Sequence, residues 1–310
     1  MEDISQLESE IRDFINNPRK QCELLKNPAA FNKLTSSLDV VGDTELAIDA
    51  FLEKDWPDDD GSKYLILYGL LQSLFIQQDA VKHLSEALDI EYSLDPLLND
   101  IREIRHDSIG HPTKRGRGDQ ENAYNFIARI SMSRNGLMLM KTFPDGSAPQ
   151  FINANLPSLI TKQRDKLAVV MSGIIDILKK EELEHKKMFK DEKLKDIFPP
   201  VISYYFQKIS EAIYGARDLG LMHLKLVNGC IERFRDALEK RGILEAYYSV
   251  TYNINLINYP IHELMNFFED PEKSKLNEND AYIFKFFVEQ NIETLIQIAK
   301  EIDEDYAKDI

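Results

Sequence analysis

The sequence predicts a mainly α protein: a helical bundle with an inserted β-hairpin, followed by a second, helical C-terminal domain. Three observations predict it. Apolar residues recur at helical spacing through most of the 310 residues, the pattern of helices that bury one face. One stretch, Tyr124 to Phe143, breaks that period and carries Asn135-Gly136 between two strand-like runs. Asn-Gly favours the positive φ angles of a tight hairpin turn. A charged run from Asp191 closes on Pro199-Pro200, a composition typical of a domain boundary. The expected units are an N-terminal helical segment over 1–43, a bundle with its hairpin over 44–195, and a helical domain over 196–310.

The elements follow in order. Ile4, Leu7, Ile11, Phe14 and Ile15 define an amphipathic helix over 4–16, which Pro18 ends. A short helix through Cys22, Leu24 and Leu25 comes next, and Pro28 starts another with Phe31 and Leu34. Asp43 or Thr44 is expected to cap a separate helix carrying Leu46, Ile48, Phe51 and Leu52. Trp56 to Gly61 reads as a loop, and Ser62 as the cap of a long helix reaching about Leu88. Its apolar positions, among them Leu65, Leu67, Tyr68, Leu71 and Leu74, cover more than one face, so it should lie deep in the bundle. After a turn at 89–93, a helix from about Asp95 stops at Gly110 and Pro112. Beyond the hairpin, a helix over 157–189 ends in a charged tail. Four more helices are expected near 201–215, 218–241, 243–268 and 279–304, the third kinked or broken by Pro260.

Composition narrows the function. The net charge of -15 argues against indiscriminate binding of polyanions, so any nucleic-acid contact must be a local basic patch on an acidic body. Cys22 and Cys230 are far apart and fit no metal-ligand spacing, which suits a reducing compartment. No signal peptide is apparent at the acidic N-terminus. The most apolar window, Tyr64 to Ile76, is interrupted by Gly69, Gln72 and Ser73 and falls short of the roughly 20 residues that span a bilayer. A cytoplasmic protein with no membrane association, metal or cofactor is expected.

The chemistry concentrates in Ile101 to Arg117. Two of the six histidines lie there, His106 and His111, with Asp107, Ser108 and five cations: Arg102, Arg105, Lys114, Arg115 and Arg117. Cleaving RNA without a metal needs a base for the 2′-hydroxyl, an acid for the leaving oxygen, and positive charge on the phosphate. Histidine suits acid–base work near neutral pH, and arginine offers a permanently charged fork matched to phosphate. On an unbroken helix six residues turn through about 600°, leaving Arg105 and His111 about 120° apart. Gly110 and Pro112 end the helix, so His111 can turn back. The glycine-rich 114–120 segment, with Lys114, Arg115 and Arg117, suits either a surface that meets RNA phosphate, with Arg102 joining it, or simply a solvated loop. On the preceding helix Gln77-Gln78-Asp79 reads as a solvated face; in the sharper reading Asp79 faces this stretch across the bundle and orients one of its cations.

This stretch resembles the HEPN family (higher eukaryotes and prokaryotes nucleotide-binding domain). The family signature is Arg, four to six residues, then His, with Asn, Asp or His commonly following the Arg. The match is Arg105-His106-Asp107-Ser108-Ile109-Gly110-His111, with five intervening residues. The resemblance covers roughly 44–190, interrupted by the hairpin. It implies an all-α bundle and a metal-independent endoribonuclease of a toxin–antitoxin or antiviral defence system. It also implies a homodimer in which two motifs form one composite cleft, and an antitoxin or defence partner protein. Arg105 and His111 become the catalytic pair, His106 takes the polar position after the Arg, and Asp79 becomes the acidic partner. Some family toxins carry Tyr two residues after the His, the target of an adenylylating antitoxin; Thr113 stands there, so that control is not expected.

Arg217 to His223 has the same spacing but lies mid-helix among apolar neighbours, and reads as a decoy. Two other classes remain open. One is a non-catalytic HEPN-like module that binds RNA, a nucleotide or a protein, which the acidic charge favours. The other is a helical scaffold.

Overall fold

The computed structural model describes residues 3–113, 123–270 and 272–308. It is mainly α with one small antiparallel sheet, in the order α1 (Ile4–Asn16), α2 (Pro18–Leu25), α3 (Pro28–Glu53), α4 (Asp60–Ala87), α5 (Pro96–Arg105), β1 (Tyr124–Ile127), β2 (Gly136–Thr142), β3 (Gln150–Asn155), α6 (Leu156–Phe189), α7 (Ile202–Ile213), α8 (Arg217–Lys240), α9 (Tyr248–Glu269) and α10 (Glu278–Ala307). The chain divides into two compact units, Met1–Ile15 with Asn27–Leu178, and Asn16–Lys26 with Lys179–Ile310. The division falls inside α6, ahead of the Pro199-Pro200 stretch where the sequence suggests a boundary. Two ion pairs tie α2 to the end of α6: Arg19 Nη2 lies 2.6 Å from Glu182 Oε2 and Lys20 Nζ 2.9 Å from Glu181 Oε2.

In the first unit the helices start where short polar side chains cap them. Asn27 accepts from the Ala30 N–H, Asp59 from Ser62 and Asp95 from Leu97, at 3.2, 2.8 and 2.8 Å. Ser62, expected as a cap, thus donates to the real one a few residues upstream. The expected break at Asp43-Thr44 is absent. α3 runs straight through, because buried Thr44 returns its hydroxyl to the Val40 carbonyl at 2.7 Å inside the helix and so starts no new one. α4 buries Leu67, Leu70, Leu71, Leu74, Val81 and Leu84, but Leu65 is 75% exposed and Tyr68 41%. The helix therefore has an open stripe and is not enclosed on every side. α5 lies against α4, burying Leu98 and Ile101.

The hairpin is there, with a third strand added. Tyr124 pairs with Thr142 and Ile127 with Leu139; Gly136 pairs with Asn155 and Lys141 with Gln150. At the turn, Ser133 N–H donates to the Gly136 carbonyl at 2.9 Å and Gly136 N–H to that of Ser133 at 3.2 Å. Gly136 is required by close approach: a Cβ there would lie 2.2 Å from the Ala154 carbonyl oxygen.

The second unit packs Phe206, Ile209, Leu224, Val227, Phe234, Leu264 and Leu295 into its own core. Pro260 does not end α9, which continues to Glu269 with the proline buried. Among the described residues no helix is long and apolar enough to cross a membrane.

Candidate active site

The packing of α5 on α4 sets the site. Gln72, Phe75 and Asp79 are spaced three and four apart, so they share one face of α4. Arg102 and Arg105 share the facing side of α5. Both guanidiniums lie over the Phe75 ring, with the carbon of Arg102 4.1 Å and that of Arg105 4.5 Å from its centroid. Cation–π attraction of this kind contributes about 0.5–2 kcal/mol. The His106 ring packs on the same phenylalanine at 5.5 Å, and its Nδ1 is 3.9 Å from Glu103 Oε1.

Each arginine then has its own acceptor. Arg105 donates through Nε and Nη2 to Gln72 Oε1, at 3.1 and 2.8 Å. Its Nη1 carries no hydrogen bond among the described residues and lies over Gly110, 2.8 Å from where a Cβ would stand. Arg102, expected to meet RNA, donates to Asp79 Oδ1 at 2.8 Å. Asp79 thus orients a cation of the motif, and that cation is Arg102.

The helix end is a π turn over His106–Gly110, closed by His111 N–H donating to the His106 carbonyl at 2.9 Å. The wider turn ends the α-helix at Arg105 and leaves His111 outside helical geometry, at φ -140° and ψ 55°, and exposed. Two side chains anchor the turn. Ser108 Oγ donates to the Ile104 carbonyl at 2.6 Å, and buried Asp107 accepts from Asn125 Nδ2 at 3.3 Å, with Lys141 Nζ at 3.5 Å. Asn125 N–H also donates to the Pro112 carbonyl at 2.8 Å. The inserted sheet therefore holds the segment that presents His111.

The structure gathers Arg102, Arg105, His106 and Asp79 around Phe75, and leaves the His111 side chain in solvent just past Gly110. Lys114, Arg115 and Arg117 lie outside the described residues. Sequence reasoning did not single out Gln72 or Phe75. A signal existed: Gln72 interrupts the most apolar window of the chain, and it precedes Asp79 by two helical turns. At the Arg217 spacing, His223 is 5% exposed, its Nδ1 bonds the Leu219 carbonyl at 2.8 Å, and its ring packs on Tyr204 and Tyr205. It is part of the second unit's core. Among the described residues no three His, Cys, Asp or Glu side chains form a metal-binding group. No family model, curated protein or solved structure matches the chain.

Proposed function

We propose that the protein is a metal-independent endoribonuclease of HEPN type, acting through Arg105 and His111. The observation that carries the reading is the guanidinium of Arg105, held on Gln72 with Nη1 over the bare Gly110 backbone, immediately before an exposed histidine at a helix end. Such a guanidinium suits a phosphodiester oxygen, and its orientation is set before substrate arrives. His111 takes the proton of the ribose 2′-hydroxyl, the 2′-oxygen forms a bond to phosphorus, and the bond to the 5′-oxygen breaks. Arg105 stabilises the added negative charge, and the leaving 5′-oxygen takes a proton from a protonated imidazole. One imidazole cannot be base and acid at once in a single step, which favours a homodimer that brings two copies of His111 together.

The test is incubation with RNA in the presence of a chelator. The expected products carry 2′,3′-cyclic phosphate and 5′-hydroxyl ends, and Arg105→Ala and His111→Ala abolish them. Products with 3′-hydroxyl ends, or cleavage unchanged in both variants, would sink the proposal. RNA binding with no cleavage selects the non-catalytic module, which the net charge of -15 favours.

A further inference from the structure

The two faces of the small sheet differ. Its inner face is committed: Asn125, Leu137, Leu139 and Ala154 are buried, and Asn125 and Lys141 hold Asp107 of the motif turn. Its outer face is open. Successive side chains of a strand point to opposite faces, so Phe126 of β1, Met140 of β2 and Phe151 of β3, which are paired in register, form one row across that outer face. Phe126 is 52% exposed and Phe151 58%. An antiparallel sheet packed on one side ordinarily turns polar residues to water on the other. A row of Phe, Met and Phe departs from that pattern.

The row lies beside the motif. Asn125, the neighbour of Phe126, spends its backbone N–H on the Pro112 carbonyl, so the segment that carries His111 flanks β1 on the side away from β2. The order across the sheet is therefore His111-Pro112, β1, β2, β3. With neighbouring strands about 4.8 Å apart, the two phenylalanines stand about 10 Å from each other. The local charge also differs from that of the body. Between Ala123 and Asn155 there are three cations, Arg129, Arg134 and Lys141, and one carboxylate, Asp145, in a chain of net charge -15. Lys141 is engaged with Asp107. Arg129 is 70% exposed and only 3.9 Å from Asp60, a loose surface pair of little strength.

We infer that the outer face of the sheet is a stacking platform for single-stranded RNA, on which unpaired bases flanking the scissile phosphate lie against Phe126 and Phe151 while the strand continues over the β1 edge towards His111. The choice of RNA rests on the ribonuclease reading of the neighbouring motif. Bases free of pairing splay out and stack on aromatic side chains, and every base has a π face to offer, so the contact needs no particular sequence. A duplex keeps its bases stacked on one another and gives the rings nothing. The local charge selects the same occupant. A polyanion meets a cationic stretch of an otherwise acidic protein, whereas a second copy of the chain docked on this face would set cation against cation.

The test uses single-stranded 2′-O-methyl adenosine octamers, which cannot be cleaved by 2′-hydroxyl attack, with binding read by fluorescence anisotropy at one fixed salt concentration. Phe126→Thr and Phe151→Thr each remove a ring and keep a residue suited to a strand, so Tm should hold. Each should weaken the octamer at least about 5-fold, and Phe126→Tyr, which restores a ring, should bind as the wild type does. An abasic strand of the same length should bind the wild type and both threonine variants equally, since only its phosphates remain. No binding of the octamer by the wild type, an unchanged affinity in both threonine variants, or a loss as large for the abasic strand would overturn the platform. A wild-type dimer in sedimentation that Phe126→Thr splits, with octamer affinity unchanged, would give this face to a second copy instead. A protein that binds through both rings but leaves RNA intact retains the platform and loses the ribonuclease reading; one that cleaves RNA while both threonine variants bind as the wild type does the reverse.

Discussion

A methyl group at Gly110 would stand 2.8 Å from Arg105 Nη1 and 3.3 Å from His106 Cδ2. The first of these is the far end of a flexible side chain, so Gly110→Ala displaces the guanidinium and leaves the backbone in place. Alanine is also the better helix former, by about 1 kcal/mol. The expected outcome is a Tm that holds or rises while RNA cleavage falls at least about 10-fold, as misplacement of a charged group predicts. Full activity in this variant would show that the position of Arg105 over Gly110 is irrelevant. Gln72→Leu probes the other contact. Hydrogen bonds to charged groups contribute about 1.5–3 kcal/mol, so kcat should drop about 10- to 100-fold with KM little changed, and Gln72→Glu, which keeps an acceptor, should recover most of it. A comparable loss in both variants would mean that Gln72 does more than hold the guanidinium. At this scale the sequence was half legible. The chemistry of Arg and His announces itself by residue type and by the helix stop between them. Gln72 does not, because its role comes from facing α5 across a packed interface, and nothing local encodes which residue of α5 it meets.

Elements were legible where the signal is local. Pro28 and Asp95 mark helix starts, and the structure uses both; Pro18, read as the end of the first helix, also opens α2. Local signals misled where burial overrides them. Gly42-Asp43-Thr44 looks like a helix start, yet the apolar face of α3 continues across it and the helix with it. The third strand is not legible in the sequence, because Gln150 to Asn155 alternates poorly and gains its identity only by pairing with β2. Gly136 is the residue on which that pairing depends. Gly136→Ala puts a Cβ against the Ala154 backbone oxygen, which cannot rotate away as a side chain could. The expected cost is about 2–4 kcal/mol, read as a lower urea midpoint, with faster amide exchange at Leu137 to Lys141 than elsewhere in the first unit. Uniform exchange would mean that the sheet is not a separable support of the His111 segment. For α2, which buries no residue of its own, the ion pairs to the end of α6 are the expected tether. The Arg19 and Glu182 side chains are 17% and 13% exposed, so a double-mutant cycle of Arg19→Met and Glu182→Gln should give a coupling of about 1–2 kcal/mol. Strict additivity would assign the docking of α2 to other contacts.

For the molecule as a whole, the response of stability to pH can be argued from one half-buried histidine in the second unit. His185 is held between α2, α6, the end of α8 and α10. Its Nε2–H donates to the Arg241 carbonyl at 3.0 Å, and its Nδ1 faces the Tyr306 hydroxyl at 3.5 Å. Burial raises the Tyr306 phenol far above its ordinary value, so that hydroxyl remains a donor and Nδ1 the acceptor. The imidazole is then neutral by hydrogen bonding as well as by environment. Burial is the main influence lowering the pKa of His185, and the positive charge of Arg19 adds to it; Arg241 also lowers it, while the bond to the Arg241 carbonyl and the charge of Glu182 work the other way. With a pKa below the unfolded value of about 6.5, the folded state binds fewer protons than the unfolded state in that range. The contribution of His185 is therefore complete above about pH 6.5 and is lost as pH falls through the lower, folded-state pKa. Other groups titrate as well, and the carboxylates among the 53 acidic residues begin to matter near their own, lower range. A variant isolates the histidine. In His185→Gln the urea midpoint should lie below that of the wild type at pH 8, since packing and the bond geometry suffer. Between pH 7 and 5.5 the wild type should lose stability more steeply than the variant, so the two curves converge. Parallel curves across that interval would show that His185 gains a proton as easily folded as unfolded, and that the half-buried, neutral ring is not how this unit responds to acid.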